Sequence, residues 1–279
     1  MEMAEKTVAD WYANHPISAP HILTKLTNLR GSAADITPQE LYPYDQDHYD
    51  GLNANARLAE KAQMKSGDCV LDVCSGLCGP ARWYASELGV DVTGVDISPN
   101  RVDGANELNT LVGLQDQVHP VLGSAMDLPF EGERFDAAVS QESFLHIPDK
   151  SKALAEVFRV LRPGGRFAFT DWVMHTPLPE DEMEQYRQRF ACQSLLSIPE
   201  YEAQLKQTGF EVISSEDVTA SWGEILARRL SMYQTLDAEA ERAGNPSKGN
   251  DFLKMYAQFV SDVQNRRIGG VCLTAEKPQ

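Results

Sequence analysis

The sequence predicts an α/β fold, an open parallel sheet with helices on both faces, and two observations carry that expectation. Short apolar runs alternate with amphipathic segments over about residues 68–175, and the first two runs lead into a glycine turn and, about 20 residues on, an acid. Such alternation implies right-handed crossovers and a binding crevice at the carboxyl ends of the strands.

Taken in order, residues 1–67 hold an aromatic and histidine-rich stretch, Leu41 to Gly51, and then a helical pattern over Leu52–Ala62. Strands are expected near 69–74, 92–96, 118–122, 135–139 and 166–171, each a short and mainly apolar run. Helical spacing between them predicts helices near 80–88, 99–112 and 151–161. The last third departs from this rhythm. Residues 176–196 read as a polar, acidic helix, Pro199–Gly209 as another, and Phe210–Val218 and 269–276 as two more strands, making seven. About 50 residues of helical periodicity lie between those strands, broken at Gly244-Asn245-Pro246. No internal repeat, low-complexity tract or long linker calls for a second independent domain.

The turn after the first strand, Val70-Leu71-Asp72-Val73-Cys74-Ser75-Gly76-Leu77-Cys78-Gly79, puts Gly76 where a ligand can approach the backbone. A dinucleotide fingerprint would need G-x-G-x-x-G, which is absent. Against D-x-G-x-G-x-G, Asp72 and Gly76 match while Cys74 and Cys78 occupy two glycine positions. A small adenosine ligand is therefore expected rather than a pyrophosphate. Asp96 ends the second strand, in Val92-Thr93-Gly94-Val95-Asp96-Ile97-Ser98, and an ionised carboxylate there can accept hydrogen bonds from both ribose hydroxyls. A tight turn at Gly76 and a helix cap at Asp96 would also account for either residue alone.

Further motifs follow in order: Gly123-Ser124-Ala125-Met126-Asp127-Leu128-Pro129-Phe130, then Arg134 to Ser140, then Arg159-Val160-Leu161-Arg162-Pro163-Gly164-Gly165-Arg166. Together they resemble the class I S-adenosylmethionine-dependent methyltransferases. The Gly123-Ser124 opening and the segment Ser140-Gln141-Glu142-Ser143-Phe144-Leu145-His146-Ile147-Pro148-Asp149-Lys150 resemble the sarcosine and dimethylglycine N-methyltransferases. The resemblance implies a Rossmann-like, seven-stranded, mostly parallel sheet with an antiparallel last strand. It divides the chain into an N-terminal helical and aromatic cap, 1–67, and a methyltransferase domain, 68–279, with helical lid segments near 174–198 and 220–266. It implies S-adenosyl-L-methionine as cofactor, held by Asp72, Gly76, Asp96, Ile97, Ser124, Ala125 and Gln141.

For the chemistry, His146, Gln141, Asp171, His48 and Tyr49 are the candidates, expected to line one chamber. A neutral imidazole takes a proton or accepts a hydrogen bond, and Asp171 with Trp172 would suit a cation. Structural roles compete with each: a loop-capping amide for Gln141, a packed ring for His146, a solvated acidic loop over Asp45 to Asp50. Arg82 is expected in a structural ion pair and Trp222 in the core. The favoured activity is N-methylation of an amine or amino-acid-like metabolite such as sarcosine or dimethylglycine. O- or S-methylation is the runner-up, and an NAD-dependent oxidoreductase or an adenosyl-binding protein without turnover stands outside the class.

Composition bounds the partners. At 279 residues with 42% hydrophobic and 24% charged residues the chain can bury a large core, and its formal net charge is -16. Such a surface argues against nucleic-acid and anionic-membrane binding, which need basic patches. No apolar run reaches the ~18 residues of a membrane span, so a cytoplasmic enzyme with a small-molecule substrate is expected, with a homodimer left open. Cysteines 69, 74, 78, 192 and 272 are odd in number and scattered, unlike a disulfide framework. Cys74 and Cys78 lack a matching ligand pair, so no metal is expected and both are read as stand-ins for glycine.

Overall fold

A computed structural model describes residues 2–242 and 250–279, apart from Asn14 and Pro16. One seven-stranded sheet organises the chain: β1 (Cys69–Val73), β2 (Asp91–Asp96), β3 (Val118–Leu122), β4 (Phe135–Gln141), β5 (Leu161–Met174), β6 (Glu211–Asp217) and β7 (Ile268–Glu276). Their order is β3-β2-β1-β4-β5-β7-β6. β1 to β5 pair in parallel, and β7 runs antiparallel to both of its neighbours. The chain moves outward from β1 to β3 and returns to β4, so the strand order reverses between β1 and β4, where a crevice opens at the carboxyl ends.

Period-two alternation sends consecutive strand residues to opposite faces. Val70 and Val92 pack under α4 (Gly51–Lys61), α5 (Gly79–Leu88) and α6 (Pro99–Leu111), where Leu58, Tyr84 and Leu108 are buried. Leu71, Phe167 and Phe169 pack on the other face under α7 (Lys150–Val160) and α9 (Ile198–Thr208), which contribute Leu154, Val157, Tyr201 and Leu205. A third cluster joins α8 (Glu180–Phe190), α10 (Thr219–Arg242) and α11 (Asn250–Gln264) around Trp172, Trp222 and Phe259. Trp222 is thus a core residue.

The cap over 1–67, expected to be helical with one helix placed within it, holds three more: α1 (Glu2–Ala13), α2 (Ala19–Arg30) and α3 (Pro38–Asp45). α3 carries Pro43 inside it and is secured at its start by a capping box, Thr37 with Glu40, and Pro38 in the first turn. It lies against the start of α5 so closely that a Cβ at Gly79 would fall 2.0 Å from the Asp45 carbonyl oxygen. The helix expected over 176–196 is shorter than its polar pattern. Pro179 stands at its N-cap and Ala191 closes it in a left-handed conformation, after which Leu196 bridges to Val173 of β5. The fifth strand, expected over 166–171, extends to both sides of that range. Gly244-Asn245-Pro246 lies outside the described residues. Among the described residues no helix is long and apolar enough to cross a membrane.

Candidate functional site

At the strand-order reversal lies a cavity bounded by the carboxyl ends of β1, β2 and β4 and roofed by Val8 and Tyr12 of α1 and by Asp47 and His48. The turn after β1 builds its floor. Cys74, Gly76 and Cys78 all adopt left-handed backbone, at φ 59°, 54° and 57°. Glycine adopts that conformation freely, whereas a side chain costs roughly 1–2 kcal/mol. The two cysteines therefore stand in glycine positions in the conformational sense as well. Burial pushes the thiol of Cys78 up to about 12 and that of Cys74 further still, with Asp96 adding to the latter, so neither is a ready nucleophile.

A Cβ at Gly76 would stand in open space, and its N–H donates to Asp96 Oδ2 at 2.8 Å. Asp96 Oδ1 accepts from the Ser98 N–H at 2.9 Å, at the start of α6. Two backbone donors thus hold the carboxylate while each oxygen keeps a lone pair for a ligand. Asp72 differs. Its Oδ2 is buried without a hydrogen-bond partner, and burial, with the Asp96 charge second, raises its pKa to about 8. Ile97, Ser124 and Ala125 also line the cavity. Gln141 donates through Nε2 to Asn55 Oδ1 at 3.2 Å, leaving its buried Oε1 unpartnered.

His146 is fixed in one tautomer by its neighbours. The Ala191 carbonyl, 3.2 Å from Nδ1, accepts only, so Nδ1 carries the hydrogen and Nε2 accepts from the Tyr12 hydroxyl at 2.9 Å. Burial, ahead of the nearby Lys150 charge, lowers the His146 pKa to about 4 and raises that of Tyr12 far above its ordinary value. His48 lines the same cavity, its Nε2 lying 3.0 Å from Gln46 Oε1.

Nine of the eleven residues expected from sequence, Asp72, Gly76, Asp96, Ile97, Ser124, Ala125, Gln141, His146 and His48, meet on this wall. Asp171 and Tyr49 do not. Asp171 was expected to face the crevice, but β5 continues past it to Met174, and its carboxylate accepts instead from the Leu145 N–H at 3.0 Å and from the Tyr201 hydroxyl, within the core. Tyr49 turns its ring away, against Trp222 at 4.8 Å and under the Arg229 guanidinium at 5.0 Å. Arg82 forms its ion pair with Asp45 at 2.9 Å, both side chains fully buried.

Tyr12 and Glu142 are among the wall residues that escaped the sequence reading. Tyr12 meets its partner across 134 positions, and no local pattern signals that. Glu142 lay inside a quoted motif. Its backbone is left-handed at φ 43°, and its carboxylate accepts from the Tyr49 N–H and the Thr170 hydroxyl, both at 2.8 Å, joining the 46–49 segment to the sheet. Burial raises its pKa to about 8. Among the described residues, none of 174–198 or 220–266 lines the cavity. Those segments brace it from behind, through the Ala191 carbonyl on His146 and through Arg229, which donates to the His48 carbonyl at 3.0 Å.

Residues 71–169 match the family model described as a methyltransferase domain. The 27-O-demethylrifamycin SV methyltransferase of Amycolatopsis mediterranei is 32% identical over 80% of this chain and 82% of its own length. The sarcosine/dimethylglycine N-methyltransferase of Aphanothece halophytica is 32% identical over 71% of this chain and 74% of its own. Among solved structures, Haemonchus contortus phosphoethanolamine N-methyltransferase 2 with S-adenosyl-L-methionine superposes with a TM-score of 0.75 at 27% identity, covering 97% of this chain and 60% of that one.

Proposed function

This chain belongs to the class I S-adenosylmethionine-dependent methyltransferases, and on that premise we propose that it methylates a small molecule at a hydroxyl oxygen. The observation that carries this reading is the Tyr12–His146 pair on the cavity wall, with a neutral imidazole whose free lone pair already holds the phenol hydrogen.

The wall suits the donor. Asp96 keeps acceptor sites for two ribose hydroxyls, Ile97 and Ala125 offer apolar sides for an adenine, and the glycine at 76 leaves backbone bare to the ligand. The orphaned Asp72 Oδ2 and Gln141 Oε1 are acceptors suited to an ammonium group. A buried acceptor left unsatisfied costs about 1–3 kcal/mol, which a ligand donor recovers.

S-adenosylmethionine supplies a methyl group on a positively charged sulfur, so the protein must mainly position a lone pair in line with it. An alkylated oxygen that keeps its hydrogen is a very strong acid. The acceptor proton therefore passes to Tyr12 Oη as the new C–O bond forms, and the Tyr12 proton passes to His146 Nε2. The electron pair of the broken C–S bond stays on sulfur, and the positive charge ends on the imidazole. With a pKa of about 4, His146 is basic enough for that oxonium and far too weak for an alkylammonium. Hydroxyl chemistry fits better on this ground. N-methylation, as the Aphanothece relative is named for, is the second reading and requires an amine that arrives without its proton.

In this reading residues 1–67 act as the cap of the site, and the segments near 174–198 and 220–266 hold that cap in place. An untargeted screen with methyl-labelled S-adenosylmethionine and a metabolite extract, read by mass, should return a methyl ether. Tyr12→Phe should cut turnover at least roughly tenfold and leave S-adenosylhomocysteine affinity within about threefold, since the pair acts in the transition state. Label on nitrogen selects the second reading, and full turnover in Tyr12→Phe removes the pair from the chemistry.

A further inference from the structure

The cavity wall is rich in carboxyl groups, two of which, Asp72 and Glu142, burial keeps mainly protonated at neutral pH. Asp45, Asp47, Asp72, Asp96 and Glu142 all line it, and among the described residues no lysine or arginine does. The cations nearby are committed elsewhere. Arg82 is consumed by Asp45 and Asn109 in the core. Lys150 donates to the carbonyl and hydroxyl of Ser194 and to the Ile147 carbonyl. Arg229 donates to the His48 carbonyl and covers the Tyr49 ring. Arg101 donates to the Ile17 carbonyl at 2.7 Å and lies against the Tyr12 ring. Its Nε and Nη2 lack acceptors, but the charge it faces is Asp47, at 3.7 Å, which a ligand anion would first have to displace.

We propose that the acceptor of this enzyme carries no carboxylate, phosphate or sulfate, and is an uncharged or cationic molecule. The inference rests on the methyl-transfer reading and adds the charge class of the substrate to it. An acceptor anion entering this cavity loses its water, meets Asp47 and Asp96, and finds among the described lining residues no lysine or arginine to pair with, so its desolvation is poorly offset. A hydroxyl or an amine finds acceptors in Asp96 and in the unpartnered Gln141 Oε1. The two histidines on the wall offer no counterion either, because burial keeps both rings neutral.

The test sorts a metabolite extract at neutral pH into anionic, cationic and uncharged fractions and incubates each with the full-length protein and methyl-labelled S-adenosylmethionine. Label should appear in products from the uncharged or cationic fraction. Products confined to the anionic fraction, identified by mass as carboxylates or phosphates, overturn the proposal. No incorporation from any fraction, with S-adenosylhomocysteine still binding, overturns the methyl-transfer reading itself and the proposal with it. Matched hydroxyl-bearing pairs give a second measurement: methyl lactate against lactate, and methyl salicylate against salicylate. The member without the anion should be methylated at least roughly tenfold faster, for want of a cation to hold the other, and a reversed preference within either pair overturns the proposal.

Discussion

Asp96 joins three parts of the site through one carboxylate: the Gly76 turn, the start of α6 and the space where a ligand diol would sit. Asp96→Ala should weaken S-adenosylhomocysteine binding by about 1.5–3 kcal/mol, as expected for the loss of charge-assisted hydrogen bonds. Calorimetry giving an unchanged Kd would remove Asp96 from the ribose role. Cys78 illustrates a balance of two small effects. Replacing it with glycine relieves a left-handed residue, worth about 1 kcal/mol, and deletes a fully buried thiol of similar value. Turnover of Cys78→Gly should stay within about threefold of wild type, and an oxidant that inactivates only the wild type would give the Cys78 thiol a redox role. At this scale the positions of Asp72, Gly76 and Asp96 in the crevice were legible in the sequence, because they lie at strand ends fixed by local pattern. Asp171 was misplaced because strand length, not strand position, decides whether a residue reaches the crevice. Tyr12 was invisible because its role depends on how a separate helix docks.

Among the elements, α3 and α5 approach closely where Gly79 opens α5 against the last carbonyl of α3. Gly79→Ala has no room for its methyl group and must push the two helices apart, which also strains the buried Arg82–Asp45 pair that ties them. Overpacking of this kind costs roughly 1–3 kcal/mol. Thermal unfolding should show a lower Tm, and cofactor affinity should fall too, since Asp45 and Gly79 both border the cavity. An unchanged Tm would mean that α3 is free to yield. The central strands and their helices were readable because their periodicities differ and both faces of the sheet are apolar. α1 to α3 were not, since their helical signal is weak and rests on caps and docking. The overlong reading of 176–196 came from following polarity and passing over Pro177 and Pro179, which a helix interior does not accept.

Over the whole molecule, the buried carboxyl of Asp72 sets a pH dependence. Its folded pKa is about 8, against an ordinary aspartate value near 3.9 in the unfolded chain. Between those values the unfolded chain has released the proton that the folded chain keeps, so the unfolded state binds fewer protons and stability falls as pH rises from about 4 to 8. Asp72→Asn should therefore gain a few degrees of Tm over wild type at pH 8 and nothing at pH 4.5, while binding S-adenosylmethionine more weakly. Parallel Tm profiles for the two proteins would refute the assignment. The sheet order carries a consequence in time. β6 lies at the outer edge, and what it pairs with is β7, whose first residue comes 51 positions after the last of β6. During synthesis, then, β6 emerges with no partner to join, and β5 keeps a bare edge of backbone donors and acceptors until the ribosome has delivered α10, α11 and the strand beyond them. Strand pairing across such a separation is slow to close. For that interval the growing chain offers the exposed edge that invites pairing with its neighbours on the same message.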